Sequence, residues 1–345
     1  MRRLGLWCAT AVVGLFVFLP TAQAAYVQCE PPGGFSAFLD SFKQAARGQG
    51  VSDATLSRAL DSLTLDQEVL RLDRNQTPFR LSFEEFARQR VTQGRINSAR
   101  QMMNRHADLL ARIEQRYGVP APILMAIWAM ETDFGAVTGN KSVVRSAATL
   151  AYDCRRTDMF QENLMAALRI LERGDLSMNE MRGAWAGEIG QTQFLAKNYE
   201  RYAVDFDGSG RRDLIRSVPD VLASTANYLQ AHGWRRGEPW DEGTHNFAVL
   251  RDWNRASVYQ RALALFANRL VQGGDATASS GGSGGLTNSQ VQEMQRILAQ
   301  RGHDVGPADG IVGPRTRAAI AAEQERLGIR VDANASPEFL QRLRQ

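Results

Sequence analysis

One carboxylate of this chain lies on the apolar stripe of a predicted helix. The segment from Ile127 to Gly135 reads IWAMETDFG, and helical spacing places Glu131 on the same face as Leu124, Ile127 and Trp128. Apolar surroundings disfavour the anion, so we expect Glu131 to keep its proton closer to neutral pH than a free glutamate does. Such a carboxyl suits a general acid that protonates an oxygen leaving group. The alternative is a solvated or salt-bridged acid at a helix end, the commoner environment of glutamate.

A second segment with possible binding chemistry is Gly183–Phe194, which reads GAWAGEIGQTQF. Its glycines indicate backbone that lies close to a ligand or to another part of the chain. Gln191 and Gln193 can donate hydrogen bonds to sugar hydroxyls or N-acetyl carbonyls, and Trp185 offers a face for stacking on a pyranose ring. A tight connection between two helices explains the same composition equally well.

The segment Asp205–Asp213 matches the first half of an EF-hand calcium loop. Position 12 of such a loop is Arg216 where a bidentate glutamate is expected, and Asp220 follows as a replacement carboxylate. The predicted ligands are Asp205, Asp207, Ser209, the carbonyl of Arg211, Asp213 and Asp220. We expect weak, structural binding of Ca²⁺ or Na⁺; a solvated turn is the alternative.

Asn254 and Tyr259 stand together at the start of a predicted helix and are further candidates for a polar site. A helix cap and a packing tyrosine account for them as well. The four histidines show no spacing typical of a metal site, and no glycine-rich phosphate loop follows a strand.

The N-terminal segment predicts export. Arg2 and Arg3 precede the apolar run Leu4–Leu19, and a small-residue cleavage site ends at Ala24. The run is short for a membrane span, and the residues before Cys29 do not resemble a lipoprotein signal. We therefore expect a periplasmic protein that is neither a lipoprotein nor membrane-spanning.

Two cysteines, Cys29 and Cys154, remain once the signal peptide is removed with Cys8. An even number in an oxidising compartment predicts one disulfide, with two free buried thiols as the alternative. Removal of two arginines leaves 39 basic and 37 acidic residues, a net charge of +2. This balance excludes nucleic acid as the main partner.

The elements that must position these residues are mainly helices. Helical periodicity runs through the chain up to residue 272, while strand-like alternation is scarce. The predicted body helices are Gly34–Gly48, Ser52–Leu63, Phe83–Val91, Ile96–Tyr117, Ala121–Thr132, Ser146–Asp153, Asp158–Arg173, Val218–His232 and Ser257–Gln272. A Gly/Ser-rich run then predicts a flexible linker before a small tail module with helices at Ser289–Gly302 and Gly313–Leu327. The predicted organisation is a signal peptide (1–24), a catalytic domain (25–272), a linker (273–285) and a binding module (286–345).

Three ordered motifs resemble the membrane-bound lytic murein transglycosylase B type, glycoside hydrolase family 103. They are AIWAMETDFG around Glu131, WAGEIGQTQF around Gln193, and the Asp205 loop that leads to STANYL around Tyr228. The match runs from about Phe35 to Arg269. The tail resembles the peptidoglycan-binding type 1 module through VQEMQ from Val291, Asp309-Gly310 and GPRTRAAI from Gly313.

The resemblance implies a lysozyme-like α-rich catalytic domain beside a small three-helix module that binds peptidoglycan. The family cleaves the β-1,4 bond between N-acetylmuramic acid and N-acetylglucosamine without water and leaves a 1,6-anhydromuramic end. Glu131 would be its single acid/base, and no cofactor is required. Gln193, Tyr228, Asn254 and Tyr259 match positions that line the family's cleft and orient the substrate. The Asp205 loop matches the family's EF-hand-like metal site.

Two residues depart from the family pattern. Ala184 stands where members commonly carry serine, and Glu188 stands where a small residue is usual. An inward Glu188 would raise the pKa of Glu131 by like-charge repulsion or activate water for hydrolysis. We expect Glu188 to point to solvent instead. The alternatives to a transglycosylase are a lysozyme-like hydrolase and an inactive murein-binding scaffold, and a monomer is the default expectation.

Overall fold

The computed structural model describes residues 27–75 and 81–272, and in the tail residues 286, 288–308, 310, 312, 314–329, 331 and 333–345. The predicted signal peptide and linker lie outside these residues, as do Asp309 and Gly313 of the tail motif. The described part is mainly α-helical, as predicted.

The body contains thirteen of the described helices and one two-stranded sheet. The helices are α1 (Gly34–Gly48), α2 (Asp53–Leu60), α3 (Gln67–Arg74), α4 (Phe83–Arg90), α5 (Gln93–Arg105), α6 (Ala107–Tyr117), α7 (Ala121–Thr132), α8 (Val143–Tyr152), α9 (Thr157–Arg173), α10 (Ala196–Tyr202), α11 (Val218–Ala231), α12 (His245–Trp253) and α13 (Ser257–Gln272). The strands are β1 (Lys141–Ser142) and β2 (Arg182–Gly183), and the tail holds α14 (Asn288–Gln300), α15 (Pro314–Arg326) and α16 (Pro337–Leu343).

Helix α7 is the central element of the body. Nine of its twelve residues are buried, because it is apolar on every side and packs against α5, α6, α11 and α13. It ends at Asp133, which adopts a left-handed conformation with φ 49°. Arg95 of α5 holds Asp133 through two hydrogen bonds of 2.5 and 2.8 Å. This bidentate pair fixes the end of the helix that carries Glu131.

The helix predicted at Ile96–Tyr117 is wrong, because the chain forms two helices there. α5 and α6 are separated at His106, whose φ of −113° leaves the helical region. The His106 ring packs against Trp128 of α7, with ring centroids 6.2 Å apart. A tertiary contact thus accompanies a break that carries no glycine or proline.

The glycine-rich segment 183–194 folds back tightly on the rest of the chain. β2 pairs with β1, which brings this segment to the end of α7. A Cβ atom on Gly183 would lie 1.8 Å from the carbonyl oxygen of Glu188, and one on Gly190 would lie 2.2 Å from that of Leu214. Close packing of backbone on backbone therefore accounts for these glycines, which favours the tight-connection alternative.

A disulfide joins Cys29 to Cys154, with the two Cα atoms 5.3 Å apart. The amide of Gln161 holds the same N-terminal arm through hydrogen bonds of 2.9 and 2.8 Å with the backbone of Val27. The arm is thereby fastened to the corner between α8 and α9, which packs on the rest of the body core.

The tail has a hydrophobic core of its own. Its most buried members are Met294, Leu298, Ile320, Phe339, Leu340 and Leu343. They come from all three tail helices, which agrees with the expected three-helix module. Among the described residues, no helix combines the length and the apolar character that crossing a bilayer demands.

Candidate active site

Glu131 occupies the last turn of α7 and is partly exposed, whereas the residues below it on the same face are not. Leu124 and Ile127 are fully buried and Trp128 is 2% exposed. Burial raises the pKa of Glu131, hydrogen bonds from Tyr259 and Trp253 oppose the rise, and the nearby Glu188 adds to it. The direction agrees with the sequence-based expectation of a carboxyl that binds its proton more tightly than a free glutamate does.

Two neutral donors hold one oxygen of Glu131. The Tyr259 hydroxyl donates to Oε1 at 2.6 Å, and the Trp253 indole donates to the same atom at 3.0 Å. Burial and the neighbouring Glu131 raise the pKa of Tyr259 well above its ordinary value, so this hydroxyl stays protonated and remains a donor. Oε2 has no donor among the described residues, and it is the oxygen able to carry a proton toward a ligand.

The carboxyl of Glu131 opens onto a pocket of about 270 Å³. Its lining combines carboxylates, side-chain amides and aromatic rings. The lining residues are Glu131, Glu188, Gln193, Phe194, Leu195, Asn198, Tyr228, Trp253 and Asn254. A concave site with few polar groups on an aromatic wall is typical of small-ligand and sugar sites.

The expectation that Glu188 points to solvent is wrong. Its side chain lines the same pocket as Glu131. The backbone N–H of Ala186 donates to Glu188 Oε2 at 3.1 Å, which anchors the carboxylate on the inner side of the glycine-rich connection. The tight fold of segment 183–194 sets this direction, and the composition of the segment did not reveal it.

Three of the predicted substrate-binding residues line the pocket, namely Gln193, Tyr228 and Asn254. The amide nitrogen of Gln193 donates to the carbonyls of Gly190 (2.9 Å) and Thr138 (3.2 Å), so its amide oxygen is the group available to accept from a ligand. Asn254 accepts from the N–H of Ala256 at 3.0 Å, which leaves its NH₂ group as a donor.

Tyr228 forms part of the aromatic wall. Its hydroxyl donates to the carbonyl of Asp252 at 2.7 Å, and burial raises the pKa of this phenol to about 12. Its ring stacks on His232 at 4.0 Å and meets Trp253 edge-on at 5.2 Å. The structure thus gives Tyr228 a fixed hydroxyl and a ring that shapes the pocket.

Three other predicted substrate contacts need correction. Both ends of the Gln191 amide are used inside the protein, since Oε1 accepts from Trp128 (2.9 Å) and Nε2 donates to Ile215 (2.8 Å). Trp185 is partly buried against the core and does not line the pocket. Tyr259 is 6% exposed and contacts Glu131, so it holds the acid and does not itself face the pocket.

Two residues of the site were missed. Trp253 donates directly to Glu131, and Asn198 of α10 lines the pocket. Trp253 immediately precedes Asn254, which the sequence singles out, but the sequence does not predict helix α12, which ends at Trp253. Asn198 follows the WAGEIGQTQF motif by four residues, outside its matched positions.

The acidic loop brings together only part of the predicted ligand set. Carboxylate oxygens of Asp205, Asp207 and Asp220 all lie within 4.8 Å of one another, so Asp220 does join the loop. Asp213 does not join it, because ion pairs with Arg211 (2.7 Å) and Arg216 (3.0 Å) hold its carboxylate.

The remaining loop groups lie close together. The Ser209 hydroxyl donates to the carbonyl of Arg211 at 3.1 Å. Asp220 already accepts three backbone N–H groups, from Phe206, Asp207 and Asp213. Carboxylate and carbonyl oxygens fit a hard cation, but the position-9 ligand is lost to arginine.

Comparison with known proteins identifies the family. The model of the transglycosylase SLT domain matches residues 34–243, and that of the peptidoglycan binding domain matches residues 287–343. The membrane-bound lytic murein transglycosylase B of Escherichia coli is 32% identical over 180 residues, or 49% of this chain and 50% of that protein. The chain therefore spans about half the length of this curated relative.

Two solved structures resemble this fold. SltB3 from Pseudomonas aeruginosa, crystallised with NAG-anhNAM-pentapeptide, is 34% identical with a TM-score of 0.66, and the match covers 90% of this chain and 99% of that one. Soluble lytic transglycosylase SltB1 from the same species is 25% identical with a TM-score of 0.63, over 68% of this chain and 97% of that one. Since the SLT model alone spans more than half of the sequence, this chain belongs to the transglycosylase SLT domain family and carries a peptidoglycan-binding domain behind it.

Proposed function

We propose that this protein is a periplasmic lytic transglycosylase of peptidoglycan with Glu131 as its single acid/base. The observation that supports this most is the setting of Glu131: a carboxyl whose pKa burial raises, fixed through one oxygen by two neutral donors, at the wall of a polar pocket. SltB3 was solved with NAG-anhNAM-pentapeptide and with NAG-NAM-pentapeptide, and we extend that ligand class to this chain.

In the first step, Glu131 protonates the glycosidic oxygen between N-acetylmuramic acid and N-acetylglucosamine. The bond from muramic C1 to this oxygen breaks, and positive charge develops at C1. Tyr259 and Trp253 stabilise the carboxylate that forms, because both donate to Oε1. These two hydrogen bonds become stronger once the acceptor is charged. The proton leaves from Oε2.

In the second step, the same carboxylate takes the proton from the muramic O6 hydroxyl while that oxygen bonds to C1. The proton returns to Glu131, no water is consumed, and the product ends in 1,6-anhydromuramic acid. One carboxyl can serve both steps because it is regenerated in its protonated form. Most glycosidases need two carboxylates for the equivalent chemistry.

The amides of the pocket would orient the sugar. Gln193 offers an acceptor, Asn254 a donor, and Asn198 lies on the same wall, so hydroxyl and N-acetyl groups have complementary partners. Phe194, Tyr228 and Trp253 meet edge-on and form a rigid apolar surface beneath them. These contacts would hold muramic C1 at a fixed position relative to the carboxyl of Glu131.

The tail module would keep the enzyme on its polymer. Binding of the module to murein raises the local concentration of glycan strands around the body, and segment 273–285 acts as the tether. We expect a monomer that uses no cofactor in the reaction.

The acidic loop is proposed as a structural cation site. Asp205, Asp207 and Asp220, with the carbonyl of Arg211, would hold Ca²⁺ or Na⁺ weakly. Its role would be to neutralise three close carboxylates and so to stiffen the segment that leads into α11.

A lysozyme-like hydrolase is the second candidate, and the observation that favours it is Glu188 in the same pocket as Glu131. Two carboxyls that flank a glycosidic bond allow one to protonate the leaving oxygen and the other to activate water. The products would then be one water heavier and would have free reducing ends.

The two functions separate in one experiment. Purified sacculi are digested with the mature protein, and the released fragments are analysed by mass spectrometry. Fragments with 1,6-anhydromuramic ends support the transglycosylase. Reducing ends that disappear with Glu188→Ala would favour the hydrolase, and firm sacculus binding without release would point to an inactive scaffold.

A further inference from the structure

The pocket holds two carboxyls, and the proposed mechanism uses one of them. Glu131 and Glu188 both line it, and neither forms an ion pair among the described residues. Most other buried acids of the described chain are paired with arginine, as Asp73 is with Arg155 and Arg156. An unpaired acid beside a catalytic acid is costly, which makes a role in the site worth testing.

The carboxyl of Glu188 is held by backbone N–H groups. Burial raises the pKa of Glu188, while its own backbone N–H, that of Ala186 and the positive charge of Arg156 oppose the rise. Arg156 is committed to Asp73, so it acts on Glu188 through its field and not through a salt bridge. Backbone donors are fixed in place and cannot move away when the carboxyl ionises.

Glu131 lies on the apolar stripe of α7, and the groups that donate to it are neutral. The groups that act on it are Tyr259 of α13, Trp253 of α12, Arg90 of α4 and Glu188. Tyr228 is neutral near physiological pH, since burial raises its pKa to about 12. Repulsion between two carboxylates in one pocket is mutual, so ionisation of one disfavours ionisation of the other. Fixed backbone donors hold Glu188 and neutral side chains hold Glu131, which favours Glu188 as the acid that ionises first.

We propose that Glu188 is a positioning residue that acts through Glu131, its negative charge keeping the proton on Glu131 and extending the reaction toward alkaline pH. This inference rests on the proposed function for its effect on turnover. In this arrangement Glu188 ionises before Glu131, so that one negative charge and one proton share the pocket. When the leaving oxygen takes the proton, two anions face each other, and their repulsion is relieved when Glu131 regains a proton from the O6 hydroxyl. The same charge thus strengthens Glu131 as the base of the second step.

The direct test is a pH titration of the Glu131 side-chain carboxyl by NMR with ¹³C-labelled glutamate, with the resonance assigned from its absence in Glu131→Gln. In the wild type, the Glu131 signal should move in two steps, the first caused by ionisation of Glu188. Glu188→Gln keeps the shape and an acceptor for Ala186 but removes the charge. We expect it to abolish the first step and to move the second to lower pH.

Activity provides the second readout. With Glu188→Gln, kcat/KM should fall roughly tenfold below that of the wild type on the alkaline side, with the acidic side retained. Glu188→Asp restores the charge and should restore most of the alkaline activity. Glu114→Gln removes an equal charge from the exposed face of α6 and serves as the matched control with a wild-type profile.

The possible outcomes test this inference separately from the proposed function. A one-step Glu131 titration in the wild type, or an unchanged titration in Glu188→Gln, overturns the inference whatever the activity. The wild-type titration does not depend on Glu188→Gln, so it stands even if that variant folds poorly. A shifted titration without any glycan release would instead sink the proposed function and leave the electrostatic coupling intact.

Discussion

Two carboxyls, one in each module, show how different surroundings shift the pKa of a glutamate in opposite directions. Glu323 of α15 is fully buried and accepts from Arg326, Arg301 and His303. Glu131 of α7 accepts from a phenol and an indole. The hydrogen bond from Arg326 leads the causes that hold the pKa of Glu323 far below its usual range, whereas burial raises the pKa of Glu131.

The difference lies in the charge of the donors. Cationic donors stabilise the anion at every pH of interest, so Glu323 is a structural link between helices α14 and α15. Neutral donors fix the position of Glu131 without fixing its charge, so the proton remains available. An acid surrounded by neutral donors is therefore the better candidate for proton transfer. Substitutions that remove a charge or a donor at either site test this difference.

The largest expected effect comes from Glu131→Gln. The amide keeps the hydrogen bonds from Tyr259 and Trp253 but carries no transferable proton, so release of anhydromuropeptides should fall by a factor on the order of 10³ or more. Quantitative mass spectrometry of digested sacculi measures this loss. Sacculus binding by the variant should equal that of the wild type. Substantial remaining activity would contradict the single acid/base.

Glu323→Gln should act on stability and not on chemistry. It leaves Arg301, Arg326 and His303 around a neutral amide, and we expect the tail to lose roughly 2–3 kcal/mol. The loss is smaller than for a fully buried pair because Arg326 is 58% exposed. Hydrogen exchange of the α14–α16 amides in the full chain measures it. Cleavage of short soluble glycan fragments should be unaffected, and a loss of that activity would contradict the contrast between the modules.

The same pair predicts opposite dependence of stability on pH. The folded pKa of Glu323 is lowered, so its contribution is present above the unfolded pKa and disappears as pH falls through the folded value. The folded pKa of Glu131 is raised, so its contribution is present below the unfolded pKa and disappears as pH rises through the folded value. Other acids of the body, such as Asp66 and Asp153, have lowered pKa values. Each contribution is therefore isolated by comparing hydrogen exchange of the wild type, from acidic to neutral pH, with that of Glu131→Gln in the body and of Glu323→Gln in the tail. Difference profiles that run in parallel in the two modules would be evidence against this assignment.

Much of the fold followed from apolar spacing in the sequence. The predicted bounds of α1, α7 and α13 coincide with those observed, because each of these helices has a long and regular buried face. The helices α3, α10 and α12 were missed. They have seven to nine residues each, too few for a clear period.

The site was predictable at Glu131 and less so around it. Gln191 and Gln193 are indistinguishable in composition and spacing, yet one amide binds Trp128 and the other lines the pocket. The direction of Glu188 depends on how segment 183–194 folds back over Gly139 and Leu214. Asp213 had ligand spacing, but the arginines at positions 211 and 216 engage it first. For the two glutamines and for Glu188, contacts between residues distant in sequence decide what local spacing leaves open, whereas for Asp213 the competing arginines are near neighbours in the sequence.

Tyr259→Phe tests the role of the neutral hydrogen-bond donors to Glu131. It removes one of the two hydrogen bonds that lower the pKa of Glu131, so that pKa should rise further and the alkaline limb of kcat/KM should move to higher pH. The loss of one donor to the developing carboxylate should also lower kcat by roughly tenfold. Trp253→Phe is the matched variant, since it removes the other donor to the same oxygen. Profiles that keep the wild-type limb in both variants would show that these donors do not tune the acid.

The smallest expected effect is the stabilisation of the acidic loop by Ca²⁺. In this loop the carboxylates have a third kind of surroundings, since they lie close to one another. Asp205 and Asp207 are exposed and Asp220 is buried, and a cation would relieve their mutual repulsion. If the site binds Ca²⁺ with a Kd near 1 mM, 10 mM Ca²⁺ should stabilise the body by about 1.4 kcal/mol through mass action. Thermal denaturation with Ca²⁺, and with Mg²⁺ as the control ion, measures the shift. Asp205→Asn should abolish it, because the cation then loses one of three charges. An equal response to Ca²⁺ in wild type and variant would mean that the loop is a solvated turn, its carboxylates held by backbone N–H groups alone.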